Sequence, residues 1–256
     1  MVSFDNGRMS DLPLVLLHAY PLDARMWNSV RAPLAERTRL ITPDQRGLGR
    51  SPLPSDLAEP DLDHAARDVV ALLDRLDLDK VVLGGCSMGG YVTFAVLRLA
   101  PERVGGLVLI DTKAEADTDA ARKNRLAVAR RAETEGIHGW LADSMLPNLL
   151  GETTRSRRPE LVEHVRGLIE QQPPAGVAWA QRAMAARRDA TDVLRATDVP
   201  AVVVVGEEDT VTPPQAACDI ADILPRGELV VLPEAGHLTP LEAPEGVVDA
   251  VFRVLG

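Results

Sequence analysis

The sequence predicts an α/β fold: a mostly parallel sheet of about six strands, flanked by helices, with a block of helices inserted past its middle. Short apolar runs rich in Val, Leu and Ile alternate with helical patterns along most of the chain. Apolarity that is continuous rather than alternating marks strands covered on both faces. One long stretch then carries helical patterns and no strand signal. Alternating strands and helices imply parallel pairing through right-handed crossovers.

Taken in order, the apolar runs fall at 14–17, 40–42, 81–83, 107–110, 202–205 and 229–232, and helical patterns cover 24–37, 62–76, 89–99, 214–224 and 244–255. Between Lys113 and Ala190 the pattern reads as roughly four helices, separated by Gly136, Pro147, Gly151, Pro159 and the PPAG beginning at Pro173. Residues 1–112 and 191–256 are therefore expected to form the core, and 113–190 a helical cap, or lid. Its charged faces read as solvated surface. Trp140, Met145, Leu149, Leu150, Trp179 and Met184 are candidates for an apolar underside, equally able to hold the cap helices together. No internal repeat or low-complexity tract interrupts the chain.

At 256 residues, with 46% hydrophobic and 26% charged residues, the chain suits one large domain, or one domain carrying an insertion. A net charge of −10 argues against a nucleic-acid partner, which needs a basic footprint. Residues 114–189 hold 12 basic and 11 acidic residues, so the acidity belongs to the flanking parts. Two cysteines, Cys86 and Cys218, support neither a disulfide framework nor a multi-cysteine metal site, and fit a reduced, cytoplasmic setting. The N-terminus lacks a basic start followed by a long apolar stretch, and no apolar run reaches about 18 residues, so neither export nor a membrane span is expected.

Gly85-Cys86-Ser87-Met88-Gly89 follows an expected strand and opens an expected helix. That context gives G-x-S-x-G its meaning. A serine at the apex of a sharp strand-to-helix turn takes strained dihedrals, and its neighbours two positions away must be small. A hydroxyl is a poor nucleophile near neutral pH, so it requires a histidine base and a carboxylate to orient that base. Of five histidines, His237 alone lies in a loop between the last strand and the last helix, where it can reach the carboxyl edge of the sheet. His18 ends the first strand and reads as a turn-shaping residue; His64, His138 and His164 sit in charged helical surroundings. Asp209, just beyond the run 202–205, is favoured as the acid; Asp111, Glu207 and Glu208 are its rivals. The order is then Ser87, Asp209, His237. An oxyanion needs two donors. Met88 N–H is the first, and the HAYP segment at His18 to Pro21 offers Tyr20 N–H as the second.

These motifs resemble those of the α/β-hydrolase family, over essentially the whole chain from Leu14 to Leu255. GGCSMGGY resembles its nucleophile elbow, GEEDTVTPP its acid loop and AGHLTPLEAPE its histidine loop. PDQRGLGRSPLP, residues 43–54, is similar to its D-x-R-G-x-G-x-S loop, which braces the site. The pattern is closest to the branch holding enol-lactonases, cofactor-free haloperoxidases and carboxylesterases. Proline iminopeptidase fits less well, because no carboxylate cluster in the cap would grip a free amine. Two departures are expected to matter. His18-Ala19 stands where the family shows His-Gly, and the residues before Pro13 are too few for the usual opening antiparallel strands, so that N-terminal hairpin is expected to be reduced or absent.

The resemblance implies hydrolysis of a small-molecule ester or lactone by Ser87, His237 and Asp209, with no metal or organic cofactor. The same residues would also serve perhydrolysis with peroxide, C–C bond hydrolysis, or a ligand receptor that has kept the pocket. Trp27, Trp140, Met145 and Trp179 are the candidate lining residues.

Overall fold

The computed structural model describes residues 12–54 and 59–256. Six strands are present among them: β1 (Leu14–Leu17), β2 (Leu40–Ile41), β3 (Val81–Cys86), β4 (Val104–Ile110), β5 (Ala201–Gly206) and β6 (Gly227–Leu232). They form one sheet in the order β2-β1-β3-β4-β5-β6, every neighbouring pair parallel. The expected α/β architecture is present. The expectation of a reduced N-terminal hairpin concerns residues 1–11, outside the described residues.

Helices α1 (Asn28–Ala35), α2 (Leu62–Arg75) and α3 (Met88–Leu99) make the first crossovers, and α10 (Pro214–Ile223) the last. α11 (Thr239–Glu242) and α12 (Pro244–Leu255) end the chain. The inner strands β1, β3 and β5 are buried at every position, because helices cover both faces. The edge strand β6 departs from that reading, with Val231 44% exposed. After β1 the chain moves to β2 on one side; after β3 it moves to β4 on the other. The carboxyl ends of β1 and β3 therefore flank a topological switch point, where the diverging connections leave a crevice.

The stretch between β4 and β5 holds α4 (Asp119–Glu135), α5 (Trp140–Leu149), α6 (Glu152–Arg157), α7 (Pro159–Glu170) and α8 (Pro174–Ala185), followed by the short α9 (Thr191–Arg195). Five helices thus replace the four expected before residue 190. Pro147 is not a separator but lies inside α5. Near a helix end the ring removes one backbone bond, and the buried Leu146 and Leu149 beside it keep the last turn packed. Pro159 and Pro174 do open helices, at a first position where no amide donor is needed. The two ends of the stretch meet, Ala190 N–H donating to the Ala114 carbonyl at 2.9 Å.

Polar ties join this helical block to the loops of the sheet. Asp23 caps the 3-10 turn Ala24–Trp27 through Arg25 N–H at 2.9 Å, pairs with the Arg25 guanidinium at 2.7 Å, and accepts from Gln172 Nε2 at 2.8 Å. Gln172 Oε1 in turn accepts from Gly49 N–H at 2.8 Å. Burial alone would raise the Asp23 carboxyl, but the bonds from Arg25 and Gln172 outweigh it and hold the group at about 2, against an ordinary 3.8. A lowered folded-state value means that this stabilisation is complete above 3.8 and is lost as pH falls through about 2. Asp23→Asn is expected to be less stable than the parent at neutral pH and to lose less on acidification. Urea unfolding at a series of pH values checks this; parallel curves would show that Asp23 carries no such linkage.

Candidate active site

The strand order brings three loops to one edge of the sheet. Ser87 stands where β3 passes into α3, at φ 53° and ψ −110°, a left-handed geometry that side chains rarely adopt. The flanking glycines permit it, since a Cβ on Gly85 would run into the Gly89 backbone and one on Gly89 into the Leu17 carbonyl. Ser87 N–H donates to the Ile110 carbonyl at 2.9 Å. Its own carbonyl accepts from Gly90 N–H at 2.9 Å, Tyr91 N–H at 3.3 Å and Thr112 Oγ1 at 3.0 Å. Met88 and Gly89, at the start of α3, have amides with no carbonyl a turn behind them, at the positive end of the helix.

His237 follows β6, and Asp209 follows β5. His237 Nε2 lies 2.8 Å from Ser87 Oγ, and its Nδ1 lies 2.8 Å from Asp209 Oδ2. All three residues are at most 8% exposed. Asp209 Oδ1 accepts from Val211 N–H at 2.8 Å and Thr212 N–H at 3.0 Å, while Oδ2 accepts from Thr212 Oγ1 at 2.7 Å. Burial pushes this carboxyl up, but the charge and hydrogen bond of His237 and the Thr212 donors overcome that and hold it below the usual range. A carboxylate facing Nδ1 fixes the proton there and leaves the Nε2 lone pair for the Ser87 hydroxyl.

The rival acids face elsewhere. Glu208 accepts from Thr153 N–H at 2.9 Å and Thr153 Oγ1 at 2.5 Å, tying the β5 loop to α6, and Glu207 is exposed. Asp111 is fully buried. Its Oδ1 accepts from Gly206 N–H at 3.1 Å, and its Oδ2 from Thr239 N–H at 3.0 Å and Thr239 Oγ1 at 2.7 Å. It thereby joins the start of the acid loop to the histidine loop. Burial and the nearby Asp209 charge raise the Asp111 carboxyl well above the usual range, despite those donors. Glu242 is a second buried clamp, accepting from Leu238 N–H at 3.0 Å and from Gly151 N–H, in the helical block, at 2.8 Å.

His18, expected to shape the turn after β1, is fully buried. Its Nε2 accepts from Gln45 N–H at 2.8 Å, which leaves Nδ1–H to donate to the Ala19 carbonyl at 3.0 Å. Burial lowers its basicity, so it stays neutral. Asp44, in the same loop as Gln45, accepts from Ala24 N–H at 2.9 Å and Arg50 N–H at 3.0 Å. Loop 43–54 therefore braces the exit of β1. The Cys86 thiol is buried and pushed up by that burial. Among the described residues no group of three or more His, Cys, Asp or Glu could hold a metal ion, and no helix is long and apolar enough to cross a membrane.

Ser87 and His237 open into a cavity of about 650 Å³, within the usual range for small-molecule sites. Trp140, Met145, Leu149 and Met184 line it, as expected of an apolar underside, together with Tyr20; Leu150 does not. Trp27 and Trp179 do not. Trp27 closes the 3-10 turn and points into the core, fully buried, where that turn packs on α11. Trp179 faces the loop after β2, its ring 5.6 Å from the Arg46 guanidinium. Two residues are about 200° of helix, so Gln181 and Met184 reach the cavity from the opposite side of α8. Sequence reasoning missed Lys113, Asp117 and Arg125, which also line the cavity, and Arg187, which is 7% exposed and pairs with Asp117. Their signal is non-local: Asp117 meets Arg187 across the length of the insertion.

With this geometry, comparison with known proteins becomes specific. The sequence profile of the alpha/beta hydrolase fold matches residues 13–244. The chain belongs to that family. Among alpha/beta hydrolases, a thermophilic esterase from Thermogutta terrifontis superimposes with a TM-score of 0.91 at 42% identity, over 96% of this chain and 89% of that one. An enol-lactonase from Burkholderia xenovorans gives 0.86 at 26% identity, over 96% and 92%. The dihydrolipoyllysine-residue acetyltransferase component of the acetoin cleaving system of Pseudomonas putida is 34% identical over 257 residues. That match covers 98% of this chain and 65% of that protein, so the chain spans just under two thirds of its length.

Removing the Asp111 carboxyl leaves Gly206 N–H, Thr239 N–H and Thr239 Oγ1 unpaired in the interior. Asp111→Ala is expected to lower the unfolding free energy by about 3 kcal/mol, measured by urea titration. A loss below about 1 kcal/mol would mean that the two loops hold without it.

Proposed function

We propose that the protein is a serine hydrolase of small carboxylic esters or lactones. The observation that carries this is the continuous chain from Ser87 Oγ through His237 to Asp209, both links 2.8 Å, opening into a cavity. The esterase and enol-lactonase among its structural relatives support the substrate class.

Ser87 Oγ attacks the substrate carbonyl as its proton passes to His237 Nε2. The charge that collects on the carbonyl oxygen is met by Met88 N–H, at the positive end of α3, and by Tyr20 N–H. Asp209 holds the ring and stabilises its charged form. Collapse breaks the bond to the alkoxy oxygen, which takes the proton from His237 and leaves Ser87 acylated. Water then attacks the acyl carbon, giving a proton to Nε2; collapse returns that proton to Ser87 Oγ and frees the acid. Only the chain's own groups and water take part. Residues 113–190 act as a cap that excludes bulk water and shapes the pocket, with Trp140 and Met145 in its lining.

Ser87→Ala is expected to lower kcat on a short p-nitrophenyl ester by on the order of 10⁴- to 10⁶-fold with no change in unfolding midpoint. A fluorophosphonate is expected to label the parent at Ser87 and to fail on His237→Ala. Turnover retained in Ser87→Ala removes Ser87 from its role, and a parent that resists labelling points to a ligand receptor. The same protein given a carboxylic acid and peroxide separates perhydrolysis from hydrolysis.

A further inference from the structure

The cavity beside Ser87 carries a positive charge with no counter-charge in contact with it among the described residues. Lys113, half-buried three residues beyond β4, lines the cavity together with Ser87 and His237, and its ammonium makes no hydrogen bond or ion pair among the described residues. The other cations of the wall are engaged. Arg125 pairs with Asp117 at 2.5 Å and donates to Gln181 Oε1 at 3.1 Å. Arg131 pairs with Glu135 at 2.8 Å and lies 4.2 Å over the Trp140 ring. Asp117, the carboxylate of the cavity wall, is also held by the buried Arg187 at 2.6 Å. Two guanidinium groups thus share that carboxylate, and Lys113 is left over.

We infer that the substrate carries a free carboxylate besides its scissile bond, anchored by the Lys113 ammonium: a half-ester of a dicarboxylic acid, or a lactone with a pendant carboxylate. The hydrolytic step rests on the function proposed above; the anion site does not. A half-buried ammonium loses hydration, and the Asp117 and Glu115 carboxylates, neither in contact with it, only partly offset that loss until a counter-charge arrives. Burial, and then the charge of Arg187, already press its basicity down, so an incoming anion relieves an existing cost. A singly charged carboxylate suits this site better than a phosphate dianion. Arg125 already faces Asp117 and Gln181, and Arg131 faces Glu135, which leaves Lys113 as one compact ammonium with three donors. Val128, Leu141, Met145 and Met184 supply an apolar wall for the carbon chain between the two ends of such a substrate.

Two measurements test this. In the Ser87→Ala protein, where turnover does not intervene, calorimetric titration with adipate is expected to show one site, weakened on the order of 10- to 100-fold by Lys113→Met and recovered in part by Lys113→Arg. Inorganic phosphate is expected to bind more weakly. Phosphate binding that is tighter and equally dependent on Lys113 overturns the carboxylate assignment. Absence of adipate binding, or binding indifferent to Lys113→Met, overturns the site. In the parent, the ratio of kcat/KM for 4-nitrophenyl hydrogen adipate to that for 4-nitrophenyl hexanoate is expected to fall at least tenfold in Lys113→Met, through KM. An equal loss on both esters means that Lys113 only shapes the fold. Adipate binding without Ser87-dependent turnover of either ester leaves the anion site standing and overturns the hydrolase reading alone.

Discussion

The site depends on one close approach of backbone to backbone. A side chain on Gly85 would run into the Gly89 backbone, and one on Gly89 into the end of β1. This contact bends β3 into α3 and forces Ser87 into its left-handed geometry, a strain of about 1–3 kcal/mol. The strain persists because the surroundings over-determine it. The Ser87 amide is bonded to the end of β4, and its carbonyl takes three donors, one of them the Thr112 hydroxyl beyond that same strand. A serine held this way projects from a rigid layer, so its distance to His237 is set by the sheet and not by a mobile loop.

Two buried carboxyls near that serine behave differently although both leave strand ends. Asp209 faces an imidazole and three Val211 and Thr212 donors, which together outweigh the effect of burial. Asp111 has donors but no cation in contact, and Asp209 adds a like charge beside it. Environment, not residue type or strand position, divides their work: one orients a ring and the other joins two loops.

Much of this was legible in the sequence, for identifiable reasons. Strand runs such as 202–205 are continuously apolar because both faces are covered, and a parallel sheet puts every carboxyl end on one edge, so Ser87, Asp209 and His237 could be brought together from their places in the chain alone. Edge strand β6 fitted less well, because one chain neighbour and partial cover leave Val231 in solvent. Inside the helical block the reading failed where contacts are long-range. Asp117, Arg125 and Arg187 look like three solvated charges until α4 and α8 pack together. Trp179 and Gln181 differ by a half-turn that composition does not reveal, and Trp27 fills the core because its short turn packs against α11, more than two hundred residues away.

The hydrogen bond between Ala190 and Ala114 closes the helical block at its base, where the chain leaves β4 and returns towards β5. A segment whose ends are already pinned together pays little chain entropy for a change in length, about 0.6 kcal/mol for each doubling. Insertions or deletions between those two points that keep Gly151, Thr153 and Gln172 on their partners should therefore leave the serine edge folded. Such a scaffold can carry a different roof while the Ser87 edge stays where it was.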